Sequence, residues 1–138
     1  LDTSKLPKGV IWAKLRGGPG MSSPVSSGDY IYVCSRGFLS CYNTKTGQEA
    51  YKSRLPSSKS IAASMWADDK HVFLMDESGK AYVVKVGPEF KIVGENDLDD
   101  LFWSTPAVTK GTLLLRGANK LYCIREKKPL PNCEISGP

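Results

Sequence analysis

Ser23-Pro24-Val25, Ser64-Met65-Trp66 and Thr105-Pro106-Ala107 recur 41 residues apart, twice over. Each triplet is followed at nearly the same distance by an apolar run. The runs are Tyr30-Ile31-Tyr32-Val33-Cys34, His71-Val72-Phe73-Leu74-Met75 and Thr112-Leu113-Leu114-Leu115. A turn and a second short apolar segment come next: Leu39 to Tyr42, Ala81 to Val84, Leu121 to Ile124. The chain is therefore built from one unit used about three times.

A period near 40 with several short strands per unit is the signature of propeller blades, each leaning on its neighbours. Several runs are apolar throughout instead of alternating, as strands covered on both faces are. A β-sandwich explains short strands but not a fixed 41-residue spacing. The expected fold is all-β: four-stranded antiparallel blades, about three of them, in repeats near 21–55, 60–93 and 102–125. A lone strand at 10–15 precedes them, within a domain spanning 1–127, and a Pro-containing tail covers 128–138. In the first repeat, strands are expected near 21–26, 30–35, 38–43 and 48–54. Hairpin turns fall at Ser27-Gly28-Asp29 and Ser35-Arg36-Gly37, where Gly supplies a positive φ. The third repeat holds three strands before Pro129 and Pro131 stop it.

Leu39-Ser40-Cys41-Tyr42-Asn43-Thr44-Lys45-Thr46-Gly47-Gln48-Glu49-Ala50-Tyr51-Lys52 closes the first repeat. This stretch resembles the repeat of pyrroloquinoline-quinone (PQQ)-like propellers, where a small residue, an Asp, a Thr-Gly turn and a Trp recur. Asn43 stands at the Asp position and Tyr51 at the Trp position. Pro24 and Pro106 match the family's first strand, and Gly9-Val10-Ile11-Trp12 resembles the end of the same motif. Val86-Gly87-Pro88-Glu89-Phe90 replaces the turn in the second repeat. The motif's logic is physical: Thr46-Gly47 makes the turn, Asn43 caps it, and the terminal aromatic packs on the neighbouring blade. Burying such a ring contributes at most ~4–6 kcal/mol. Trp12 and Tyr51 are thus read as structural.

The resemblance implies a choice between two roles. One is a non-enzymatic scaffold with a periplasmic or otherwise exported home, as in outer-membrane assembly lipoproteins. The other is a PQQ-dependent dehydrogenase fragment, with PQQ and calcium held in a site completed by other blades. The catalytic Asp and calcium-binding groups of the second role match no motif here. Enzymatic activity, a metal site and a resident cofactor are therefore not expected.

Composition narrows the classes further. With 41% hydrophobic and 24% charged residues, the 138-residue chain is an ordinary globular domain. Its longest apolar run is far short of a bilayer span, so no membrane span is expected. Leu1-Asp2-Thr3-Ser4-Lys5 reads as the start of a processed or excised piece. The net charge of +5 is spread along the chain, which argues for a solvated surface and against nucleic acid.

Cys34, Cys41, Cys123 and Cys133 lack metal-ligand spacing. The first three are expected as small buried hydrophobes, and Cys133 as an exposed thiol. Asp68-Asp69 and Asp76-Glu77 fall at turns and read as solvated acids. Glu95-Asn96-Asp97-Leu98-Asp99-Asp100 reads as an acidic connector, or the first turn of a short helix. It lacks the glycine and distal Glu of a calcium loop. His71, the only histidine, has no nucleophile placed beside it by any motif.

What remains is the loops. The connectors 16–22, 56–64 and 94–104 should share one face, making Arg16, Met21, Met65, Trp66, Phe102 and Trp103 candidates for a protein-partner surface. Three blades alone would expose apolar faces at both ends. Self-association that completes the propeller is the expected remedy, with strand 10–15 lent to a third blade.

Overall fold

The computed structural model describes residues 6–14, 20–58 and 60–126. Among the described residues it is all-β, with eleven strands in three antiparallel sheets. The first sheet takes β1 (Val25–Ser27), β2 (Tyr30–Ser35), β3 (Phe38–Asn43) and β4 (Glu49–Arg54) in chain order. The second takes β5 (Trp66–Ala67), β6 (His71–Met75), β7 (Lys80–Lys85) and β8 (Ile92–Asp97) likewise. The third holds three strands, β9 (Ala107–Thr109), β10 (Thr112–Arg116) and β11 (Leu121–Arg125). These are propeller blades, one per repeat.

The turns follow from local chemistry. Arg36 and Gly37 both take positive φ, 52° and 75°, between the paired Ser35 and Phe38. Lys110 and Gly111 repeat this between Thr109 and Thr112. Two consecutive positive-φ residues make the two-residue turn whose twist matches a hairpin. In the β3–β4 turn, the Asn43 Oδ1 accepts from the Lys45 and Thr46 N–H groups at 3.0 Å each, and the Thr46 hydroxyl caps the Gln48 N–H. The motif residues thus hold their turn as expected. Both outer ladders carry a register irregularity at the same place, Cys41/Tyr42 and Val83/Val84, which re-aims the fourth strand.

The 41-residue period becomes direct contact. Ser23 N–H donates to Ser64 Oγ at 2.9 Å, and Ser64 N–H donates to Thr105 Oγ1 at 3.1 Å. Ser27 Oγ donates to the Asp68 carbonyl at 2.8 Å. Equivalent residues of successive units therefore stand side by side where the first strands begin.

Packing is blade on blade. Tyr32, Cys34, Leu39 and Cys41 of the first sheet meet Val72, Leu74, Tyr82 and Val84 of the second, all essentially inaccessible. The opposite face of the second sheet joins the third through Met75, Ala81, Leu113, Leu115 and Tyr122 around Phe102. Polar pins cross the first interface. Gly87 N–H donates to the Tyr32 hydroxyl at 2.9 Å, and the Tyr82 hydroxyl donates to the Pro56 carbonyl.

Four expectations are corrected. First, Val10–Lys14, the described part of the 10–15 strand, joins no sheet. A strand needs a neighbouring ladder, and among the described residues none lies beside it. Second, the first half of the acidic connector is strand: β8 (Ile92–Asp97) runs through 94–97 and extends the second repeat past 93. Third, Asp76 is buried at 1% exposure, not solvated. Its Oδ1 accepts from Ser78 N–H, Ser78 Oγ and Lys80 N–H at 2.8–3.0 Å. Fourth, Cys123 is exposed, because no sheet among the described residues covers its face of β11. Cys133 and the 128–138 tail lie outside the described residues.

The cysteine contrast is testable. Burial pushes the Cys34 thiol up to about 12 and the Cys41 thiol up to about 11, so neither supplies thiolate at neutral pH. In a Cys133→Ser chain, a thiol dye at neutral pH should label Cys123 within its reagent's normal time and leave Cys34 and Cys41 untouched until denaturant is added. Equal native labelling of all three would contradict the buried core.

Candidate interaction surface

The connectors between sheets run across one end of the blades, over the turns that join second and third strands. Leu55 N–H donates to the Gly37 carbonyl at 2.9 Å, and Glu77 N–H donates to the Ser60 carbonyl at 3.1 Å. The next connector is held twice: Phe102 N–H to the Glu77 carbonyl at 3.2 Å, and Ala118 N–H to the Leu101 carbonyl at 2.8 Å. The Ser22 hydroxyl, from the first connector, donates to the Cys34 carbonyl at the same end of β2. The described connectors therefore share a face and are clamped to it.

Asp100 anchors that face. Its carboxylate accepts from the backbone of Leu101, Asn119 and Lys120, the Asn119 amide and the Tyr122 hydroxyl. Burial opposes its charge, but these donors outweigh burial and hold the group below the usual carboxylate range. Gly117 must lack a side chain here, since a Cβ would fall 2.2 Å from Asp100 Oδ2. Sequence reading missed Asp100 as an anchor, placing it in a solvated acidic run. The missed signal is its pairing with the Gly117-Ala118-Asn119-Lys120 turn, whose donors need an acceptor.

The sequence candidates divide. Met21 is 73% and Trp103 55% exposed on this face. Trp103 lines an open hollow of about 320 Å³ with Ser104, Arg116, Gly117 and Ala118. Trp66 is half-buried and stacks on Phe73 across β5 and β6, with ring centroids 5.4 Å apart. Met65 and Phe102 are corrected: both are buried, because their connectors dive between sheets to fill the space there. They cannot present side chains to a partner. Arg16 lies outside the described residues.

The structural aromatics sit at the other end. The Trp12 Nε1–H donates to the Thr44 carbonyl at 2.7 Å, and its ring lies where a Gly47 Cβ would come within 2.6 Å. Tyr51 packs on Phe90 of the next sheet's turn, centroids 5.5 Å apart. Both aromatics thus dock on the β-turn of the following unit. His71 sits at the start of β6 with Nδ1 3.5 Å from Asp68 Oδ1, a local turn contact. Among the described residues no three His, Cys, Asp or Glu side chains converge as metal ligands would. No helix among them is long and apolar enough to cross a membrane.

No family model matches the chain, and no curated protein matches it. Solved structures do. BamB from Moraxella catarrhalis matches with TM-score 0.61 at 13% identity over 72% of this chain and 29% of that one. Quinohemoprotein alcohol dehydrogenase from Comamonas testosteroni matches with TM-score 0.56 at 14% identity, covering 72% of this chain and 17% of that one. The computationally designed Ika4 protein matches with TM-score 0.54 at 10% identity, over 81% of this chain and 95% of the design. The chain thus spans well under half the length of the two natural structures. At these identities the likeness establishes the fold, and the fold is that of β-propeller blades.

Proposed function

We propose that this chain is a non-catalytic binding module that offers the connector end of its blades to a protein partner. The observation that carries the reading is the exposure of Met21 and Trp103 on connectors fixed by hydrogen bonds to the blades. A rigid, exposed aromatic beside Arg116 is the kind of anchor that protein interfaces bury, since little conformational entropy is lost on binding. Its resemblance to exported propellers supports a home in the periplasm or another exported compartment.

A second reading draws on the likeness to quinohemoprotein alcohol dehydrogenase: a fragment whose PQQ and calcium site other blades complete. The described acids do not fit that group. Both Asp100 oxygens already accept from Leu101, Asn119, Lys120 and Tyr122, and Asp76 Oδ1 is taken by Ser78 and Lys80, while among the described residues no three acids converge as calcium ligands would.

Site-specific photo-crosslinkers test the binding role. Introduced at Met21 and Trp103, they should trap one partner protein, competed away by unlabelled chain. Crosslinkers at exposed Lys45, at the opposite end, should trap none. Equal trapping from both ends would refute the assignment of the surface. Saturable uptake of PQQ with calcium, seen as quinone absorbance, would replace it with the second reading.

A further inference from the structure

We infer that β11 takes its missing fourth strand from a second copy of this chain, in the form of residues Val10–Lys14. The argument begins with Trp12. In the first sheet, β4 is the fourth strand, and its Tyr51 packs on the β7–β8 turn of the next sheet. Trp12 makes the same kind of contact with the β3–β4 turn of the first sheet. Segment 10–14 therefore stands to the first sheet as β4 stands to the second. It occupies the place of a fourth strand belonging to a sheet that would precede β1.

The third sheet has the complementary vacancy. Among the described residues β11 is an edge, with no strand on its far side. An unpaired edge presents a row of N–H and C=O groups ready to receive a strand. Its Leu121 is 77% exposed, and Ile11 on the unpaired segment is 74% exposed. Among the described residues, one segment lacks a sheet and one sheet lacks a fourth strand.

The innermost contacts point the same way. The run Ser23 N–H to Ser64 Oγ, then Ser64 N–H to Thr105 Oγ1, is directional. It ends with the Thr105 N–H at one side and the Ser23 hydroxyl at the other, both exposed. Thr105 N–H of one copy donating to Ser23 Oγ of the next repeats the step already taken twice. The contact is head to tail, and closure by two copies makes two equal interfaces, each covering one exposed end. The edge invoked here is β11 and the occupant a second copy, and Ile11→Asp leaves Met21 and Trp103 intact, so either proposal can fail without the other.

The test is the mass and its response to edge variants. The chain should sediment at micromolar concentration as twice its 15.1 kDa mass. Ile11→Asp changes an exposed side chain, so the far-ultraviolet spectrum should be kept while dimerisation weakens by tenfold or more. Val10→Cys or Ile11→Cys, each in a Cys133→Ser chain, should oxidise with the exposed Cys123 of the partner copy to a reducible dimer. A monomer would assign the vacancy to some other protein segment and overturn the inference. So would a dimer indifferent to Ile11→Asp, a disulfide formed within one chain, or an open series of higher masses.

Discussion

Gly79→Ala is expected to cost roughly 3–5 kcal/mol of stability, the sum of a backbone term and a steric term. Gly79 closes the β6–β7 turn at φ +96°, which L side chains rarely adopt. An added Cβ would fall 1.9 Å from the Leu98 carbonyl oxygen and 2.8 Å from that of Asp100. Both atoms are backbone, and the segment is tied down: the Leu98 carbonyl accepts from Asp100 N–H at 2.7 Å, and Leu98 N–H donates to the Gly79 carbonyl at 3.0 Å. They cannot rotate aside as a side chain would. Relief requires moving the connector that carries Asp100, and with it the support of the β10–β11 turn. Gly111→Ala is the control, because it shares a positive φ of +74° but has open space where the Cβ would go. It should lose only about 1–2 kcal/mol, the cost of the backbone alone. Urea denaturation reads both, as a lowered midpoint at unchanged slope. Equal losses for the two variants would show that the connector yields, and would remove the rigidity on which the binding surface depends.

The same region marks how far the sequence alone reaches. Strands 30–35 and 38–43 and the turns between them were legible, because each apolar run is bounded by a Gly-containing turn whose geometry admits little else. The period was also informative beyond fold, since equivalent Ser and Thr residues end in hydrogen-bonding contact. β8 was not legible. It is an edge strand of Gly, Glu, Asn and Asp on its C-terminal half, held by ladder bonds and a Lys80–Glu95 ion pair at 3.2 Å. Backbone pairing leaves no hydrophobic pattern to detect. Met65 and Phe102 were misread for a related reason. A connector residue has no periodicity to declare its side, and only the gap between two sheets decides that it turns inward. Met21 and Trp103 stay exposed; Trp103 follows Phe102 on one connector, so a single step along the chain separates the side chain that fills the gap from the one that faces solvent.

Leu74→Ala should strongly damage the first interface, at ~2–5 kcal/mol. Leu74 is fully buried, paired with Tyr82 on one strand and facing the first sheet on the other side. Its removal leaves a void among rings and branched chains pinned by the Tyr32–Gly87 and Tyr82–Pro56 hydrogen bonds. Such a wall cannot collapse freely, which places the cost toward the upper part of that range. A domain has only about 5–15 kcal/mol in total, so the loss is a large share. The core is common property of two sheets, and this decides how the loss is distributed. Neither sheet buries its face without the other, as in any row of repeats stabilised by neighbour contacts. Amide exchange in β3, which contains no altered residue, should therefore speed up as much as exchange in β6. Leu115→Ala, in the smaller cluster with Met75 and Phe102, should instead release mainly β10 and β11. If Leu74→Ala accelerates exchange in β6 while β3 stays protected, the two blades open independently, and the stacked-blade account of this core is wrong.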